Sequence, residues 1–156
     1  MRILTEGFEA GIGGWSSRSG SVTVTQTNAR ISGYCAAIGS GAYIHYAIQS
    51  LPELYVTFAL RREAGESQFS WYFGTTGLGF LLFDSLASKI RVFVGGSQVA
   101  EGSRVCPWNE WFIIQAYIRI GDSNYGRIVV KVDGVTDVDF TGETAPEWEE
   151  TVINGL

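Results

Sequence analysis

The sequence predicts an all-β domain, a sandwich of two antiparallel sheets. Three observations carry this. Apolar residues alternate with polar ones at period two from end to end. Turn-forming pairs separate the alternating runs. The composition is rich in glycine (20) and aromatic residues (13%), with 3 prolines and 17% charged residues, the profile of many short strands joined by tight turns.

The runs come in order. Val22 and Val24 alternate with threonines and a serine. Ile44, Tyr46 and Ile48 share a face, with His45 on the other. Leu54, Val56, Phe58 and Leu60 form a core stripe, with Tyr55, Thr57 and Arg61 opposite. Phe69, Trp71 and Phe73 follow, then Leu78, Phe80 and Leu82, in a run apolar on both faces apart from Gly79. Such a strand is central in its sheet or covered by a partner. Ile90, Val92 and Val94 oppose Lys89 and Arg91. The longest stripe, Phe112 to Ile120, carries Trp111, Gln115, Tyr117 and Arg119 on its other side. Ile128, Val130 and Val132 alternate with Arg127 and Lys131, and Val138 and Phe140 close the series. Gly95-Gly96, the stretch 122–126 and Asp133-Gly134 supply turns. Asp133-Gly134 suits a two-residue type I′ hairpin, which needs positive φ at both positions. Thr144-Ala145-Pro146-Glu147 has the pattern of a helix start, so one short helical turn is expected near 145–150.

At 156 residues the chain is expected to form one domain, 1–156, large enough to hold a core without staples. Its 11 Lys+Arg against 16 Asp+Glu, a net charge of −5, disfavour nucleic acid and anionic membrane as partners, since both are recognised through clustered cations. The N-terminus lacks the apolar core of a signal peptide, and no apolar run spans a bilayer. Synthesis in a cytoplasm is therefore expected, with Cys35 and Cys106 as free, buried and unreactive thiols rather than a disulfide.

No catalytic constellation emerges, so the chain is expected not to be an enzyme. The single histidine, His45, has no nucleophile elbow to serve. Glu147, Glu149 and Glu150 crowd a predicted loop rather than pairing on a strand, whereas retaining glycoside hydrolysis needs two carboxyls about 5–5.5 Å apart. Gly11, Gly13 and Gly14 do not join a strand to a helix, so they are no phosphate loop. Asp137 and Asp139 lie at i, i+2 on one strand. They are candidate ligands for calcium, with help from Asp133 or Glu143; the plainer alternative is a pair of outward charges guarding an edge strand. The candidate ligand or interface residues are Trp15, Tyr34, Trp108, Tyr125 and Trp148. These aromatics fall in or near loops, where rings stack on sugars or anchor protein contacts.

Several of these features occur together in one known family. They are Phe8-Glu9 followed by Trp15, the small-residue run 31–36, Trp108-Asn109-Glu110-Trp111-Phe112, the hairpin run from Gly126 to Gly134, and Asp139-Phe140-Thr141-Gly142-Glu143-Thr144. In this order the chain resembles the concanavalin A-like lectin/glucanase superfamily, a jelly-roll sandwich that includes laminin-G-like domains. Its closing part is similar to lectin-like virion proteins of tailed bacteriophages. The resemblance implies a virion structural protein, a capsid decoration (cement) protein or a tail module, assembled in the host cytoplasm. It would bind the major capsid protein or another virion protein through apolar and aromatic patches, as a homo-oligomer such as a trimer. The alternative it implies is a carbohydrate-binding module whose loop aromatics recognise a glycan. Domains of this kind often end in a strand with paired aspartates beside the first strand. Here the chain closes on Ile153-Asn154-Gly155-Leu156, so that strand is either short or missing, and the pairing of Ile3-Leu4 is open.

Overall fold

The computed structural model describes residues 17–25, 35–38, 43–45, 47–63, 65–73, 76–122, 124–144 and 153–155. Fourteen strands and no helix occur among them: β1 (Ser17–Ser19), β2 (Val22–Thr25), β3 (Cys35–Ile38), β4 (Tyr43–His45), β5 (Ala47–Leu51), β6 (Glu53–Arg61), β7 (Ser67–Phe73), β8 (Thr76–Phe83), β9 (Ile90–Val94), β10 (Ser97–Glu101), β11 (Trp111–Arg119), β12 (Arg127–Val132), β13 (Val135–Thr141) and β14 (Ile153–Gly155). The helical turn expected near 145–150 lies outside the described residues.

The chain divides into two compact units, Met1–Ile48 and Gln49–Leu156. In the first, β1 pairs antiparallel with β4 and β2 with β3. The second holds two sheets, apart from Ala47 and Ile48 of β5. A four-stranded antiparallel sheet has the order β13-β12-β11-β6, and a six-stranded sheet has the order β10-β9-β8-β7-β14-β5. A short strand, β14, lies near the end of the chain, and no pairing of Ile3-Leu4 is described, since both lie outside the described residues. Gly155 pairs with Tyr72 of β7, inside the larger sheet.

The two sheets share one core. Phe58 of β6 stacks on Phe69 of β7 with ring centres 5.1 Å apart. Phe83 of β8 meets the edge of Phe58 and tilts against Phe112 of β11. Around these rings, Leu54, Ile114, Ile118, Ile128, Val130 and Val138 from one sheet are buried with Trp71, Leu81, Ile90 and Val92 from the other. Removing apolar surface from water, at about 25 cal/mol per Å², is what holds the layers together. The alternating stripes read from the sequence form this core in β6, β9, β11 and β12.

Strand β8 departs from that reading. The expected stripe was Leu78, Phe80 and Leu82, but Leu81 and Phe83 are buried while Phe80 and Leu82 are half-buried on the other flank. A bulge explains it: Trp71 faces Gly79 and Tyr72 faces Gly77, which leaves Leu78 as an extra residue. An extra residue reverses the phase of everything beyond it. Because both flanks of this strand are apolar, period two could not reveal the reversal. Strand β10 has no signature in the sequence either, since Ser97-Gln98-Val99-Ala100-Glu101 lacks apolar alternation. It forms because Gly95 and Gly96, at φ 55° and 82°, fold it back onto β9. The Asp133-Gly134 hairpin forms as expected, with φ 50° and 81°, and joins Val132 to Val135 across the turn.

Candidate docking face

The alternation that buries one flank of the four-stranded sheet exposes the other, and the register arranges that flank in rows. Glu53, Arg119, Arg127 and Thr141 form the first row; Tyr55, Tyr117, Val129 and Asp139 form the second. Thr57, Gln115, Lys131 and Thr136 form the third, followed by Ala59 with Ile113 and by Arg61 with Trp111. At about 3.4 Å per residue and 4.8 Å between strands, the face measures roughly 30 by 15–20 Å.

The second row is its centre. The rings of Tyr55 and Tyr117 stack with centroids 4.4 Å apart. Tyr55 is 67% exposed. The Tyr117 hydroxyl donates to Glu53 at 2.9 Å. Partial burial first, then the adjacent Glu53 carboxylate, raises the Tyr117 phenol above its ordinary value, so it stays protonated and a donor. The sequence placed both tyrosines opposite core stripes. What it lacked was the strand pairing that sets them side by side.

Charges border the tyrosines. Arg127 forms a two-pronged bond with Asp139, at 3.0 and 2.8 Å. That pairing holds the Asp139 carboxyl below the usual aspartate range. Arg119 donates through Nε to the carbonyl of Tyr125 at 2.6 Å. Lys131 is exposed and has no ion-pair partner among the described residues.

A corner positions this row of arginines. Asp122 caps its own turn, accepting the N–H of Asn124 at 3.0 Å, and its carbonyl takes the N–H of Gly126. The hydroxyl of the fully buried Thr144 accepts from Gly121 N at 2.9 Å and donates to the carbonyl of Arg119 at 2.8 Å. Gly126 has to be glycine here, because a Cβ would run into the Gly142 carbonyl and Thr144 Oγ1.

Of the five aromatics singled out by sequence, Trp15, Tyr34 and Trp148 lie outside the described residues, as do the side chain of His45 and the acidic Glu147, Glu149 and Glu150. Trp108 is half-buried, and the buried Arg62 guanidinium lies 4.2 Å from its ring centre. Tyr125 is 68% exposed at the corner, beside the first row.

The two candidate calcium ligands take separate protein partners. Asp139 belongs to Arg127. Asp137 is the extra residue of a bulge opposite Val130 and Lys131. Its Oδ1 accepts the N–H groups of Ser103 at 2.9 Å and Arg104 at 2.8 Å. Those two residues follow β10, so Asp137 ties the edge of the small sheet to the edge of the large one. Gly102 makes room for it, since a Cβ there would strike the Asp137 carboxylate. Asp133 accepts the N–H of Ile113. Among the described residues no three of His, Cys, Asp and Glu gather as a metal cluster. Cys106 is a buried free thiol. Burial, then the nearby Asp137 carboxylate, pushes its pKa up to about 11, so little of it is the reactive thiolate at neutral pH.

No helix among the described residues is long and apolar enough to cross a membrane. Compared with protein-family models, with curated proteins and with solved structures, the chain matches none.

Proposed function

We propose that this protein is a non-enzymatic virion structural module, a capsid decoration protein or tail component, which docks on another virion protein through the outer face of its four-stranded sheet. The observation that carries the reading is the stacked Tyr55–Tyr117 pair at the centre of that face. Tyrosine and arginine at the middle of a patch, with polar groups around them, are the composition of protein contact sites. The sequence likeness to lectin-like phage proteins supplies the setting.

The face covers about 500 Å², below the roughly 800 Å² that one partner contributes to a stable interface. One copy would therefore bind weakly. Repeated or oligomeric copies on a symmetric shell would bind tightly through avidity.

The competing reading, glycan recognition, draws on the exposed ring of Tyr125. It is the weaker of the two. Tyr55 and Tyr117 each turn one face to the other, and a face of Trp108 carries Arg62, so each of these rings has at most one face left for a sugar.

The test is quantitative mass spectrometry of particles purified from the culture that makes the protein, with light scattering on the isolated chain. A fixed copy number per particle, lowered by Tyr55→Ser with Tyr117→Ser, is the expected result. Particles free of the protein, together with a strict monomer that binds a glycan array, would overturn it.

A further inference from the structure

We infer that the surface received by this face is an acidic protein surface, whose carboxylates meet Arg119 and Lys131 on either side of the tyrosine pair. The inference rests on the docking reading and names the chemistry of the partner. Two observations carry it.

The first is local. Arg119 and Lys131 lie in the rows that flank the tyrosines. Neither has a carboxylate partner among the described residues, in contrast to Arg127 with Asp139 and Arg61 with Glu63. Glu53, which sits opposite Arg119 in register, is engaged by the Tyr117 hydroxyl instead. An arginine and a lysine spaced across an aromatic centre are suited to carboxylates on a facing protein.

The second is global. The chain is acidic, with 11 Lys+Arg against 16 Asp+Glu. Yet its outer face inverts the sign: Arg61, Arg119, Arg127 and Lys131 stand there against Glu53, Glu63 and Asp139. The remainder of the chain keeps seven cations and thirteen acids. An acidic partner is repelled by the remainder and attracted by this face, so long-range charge would orient the encounter before contact. An anionic glycan offers the same charge, so heparin is the probe that separates it from a protein surface.

The experiment uses the full chain, with immobilised poly-L-glutamate and heparin as probes, and purified particles in parallel. Lys131→Glu is the main variant because its side chain is exposed and has no ion-pair partner among the described residues. Arg119→Gln is the second. Lys89→Glu changes net charge equally at a site away from the face. Circular dichroism checks that each is folded. Poly-L-glutamate should bind the wild type at low salt and weaken about tenfold as ionic strength rises past about 0.1 M, where the screening length is about 10 Å. Lys131→Glu and Arg119→Gln should each weaken it several-fold, with Lys89→Glu unchanged. Particle occupancy should follow the same order. Heparin binding without poly-L-glutamate binding would overturn the acidic-protein assignment, as would binding to neither. If Tyr55→Ser lowers particle occupancy and Lys131→Glu does not, docking stands and the acidic partner falls. If neither variant changes occupancy, both fall.

Discussion

The two sheets treat their outer flanks differently. The outer flank of the four-stranded sheet is polar and aromatic, and its strands β6 and β11 alternate between more and less buried positions. On the six-stranded sheet, Phe80 and Phe93 stack on the outer flank at 4.6 Å and stay half-buried. The first sheet can present side chains to a partner at little cost to its own stability. The second uses both flanks for apolar packing, so substitutions there are felt by the fold.

Leu81→Ala should have the largest effect. The side chain is fully buried, and deleting a leucine from a packed core costs about 2–5 kcal/mol. Urea unfolding reads this directly. Phe80→Ser comes next, at about 1–3 kcal/mol, from a half-buried ring that loses its stacking partner. Thr144→Val follows at about 1–2 kcal/mol. It keeps the shape but strands the Gly121 N–H and the Arg119 carbonyl, and chemical shifts of Tyr125 and Arg127 should move with it.

Tyr55→Ser should be smallest, under about 1 kcal/mol, because the ring is mostly in water. Its effect belongs to docking rather than to stability. If Tyr55→Ser destabilised the chain as much as Phe80→Ser, the contrast between the two flanks would collapse.

Acid should act through the larger sheet's β8–β9 turn. Asp84 accepts the N–H groups of Ala87 and Leu86 and faces Arg91 at 3.0 Å. The Ala87 N–H first, then that of Leu86 and the arginines, hold its carboxyl below the ordinary value of 3.8. A carboxyl depressed on folding stabilises the folded state above its unfolded value. That contribution is lost as pH falls through the folded value. Thermal melts should therefore be flat near neutrality and fall below about pH 4. Asp84→Asn should be less stable at neutral pH and should flatten that acid limb.

How much of this was legible depended on how each strand divides its residues between inside and outside. In β11, polar Gln115 and Arg119 alternate with Ile114, Ala116 and Ile118, so the buried flank could be read off. In β8, with apolar residues on both flanks, period two assigns the wrong phase and cannot show the Leu78 bulge. Among the sites, the alternation located Tyr55 and Tyr117 on open flanks. Asp137 and Asp139 looked like a pair at i, i+2, yet the bulge and the loop after β10 give each its own partner.

The amino-acid sequence by itself determined the all-β class, the Asp133-Gly134 hairpin and the alternating strands, because these follow from φ preferences and from one side chain in two meeting water. Tertiary structure alone decided which strands are neighbours. That pairing put Tyr55 beside Tyr117, set Arg119 and Lys131 on either side of them, and brought Asp137 to the backbone of Ser103 and Arg104. Register is a relation between distant segments, and it is set by how two greasy flanks fit together, which no local pattern encodes.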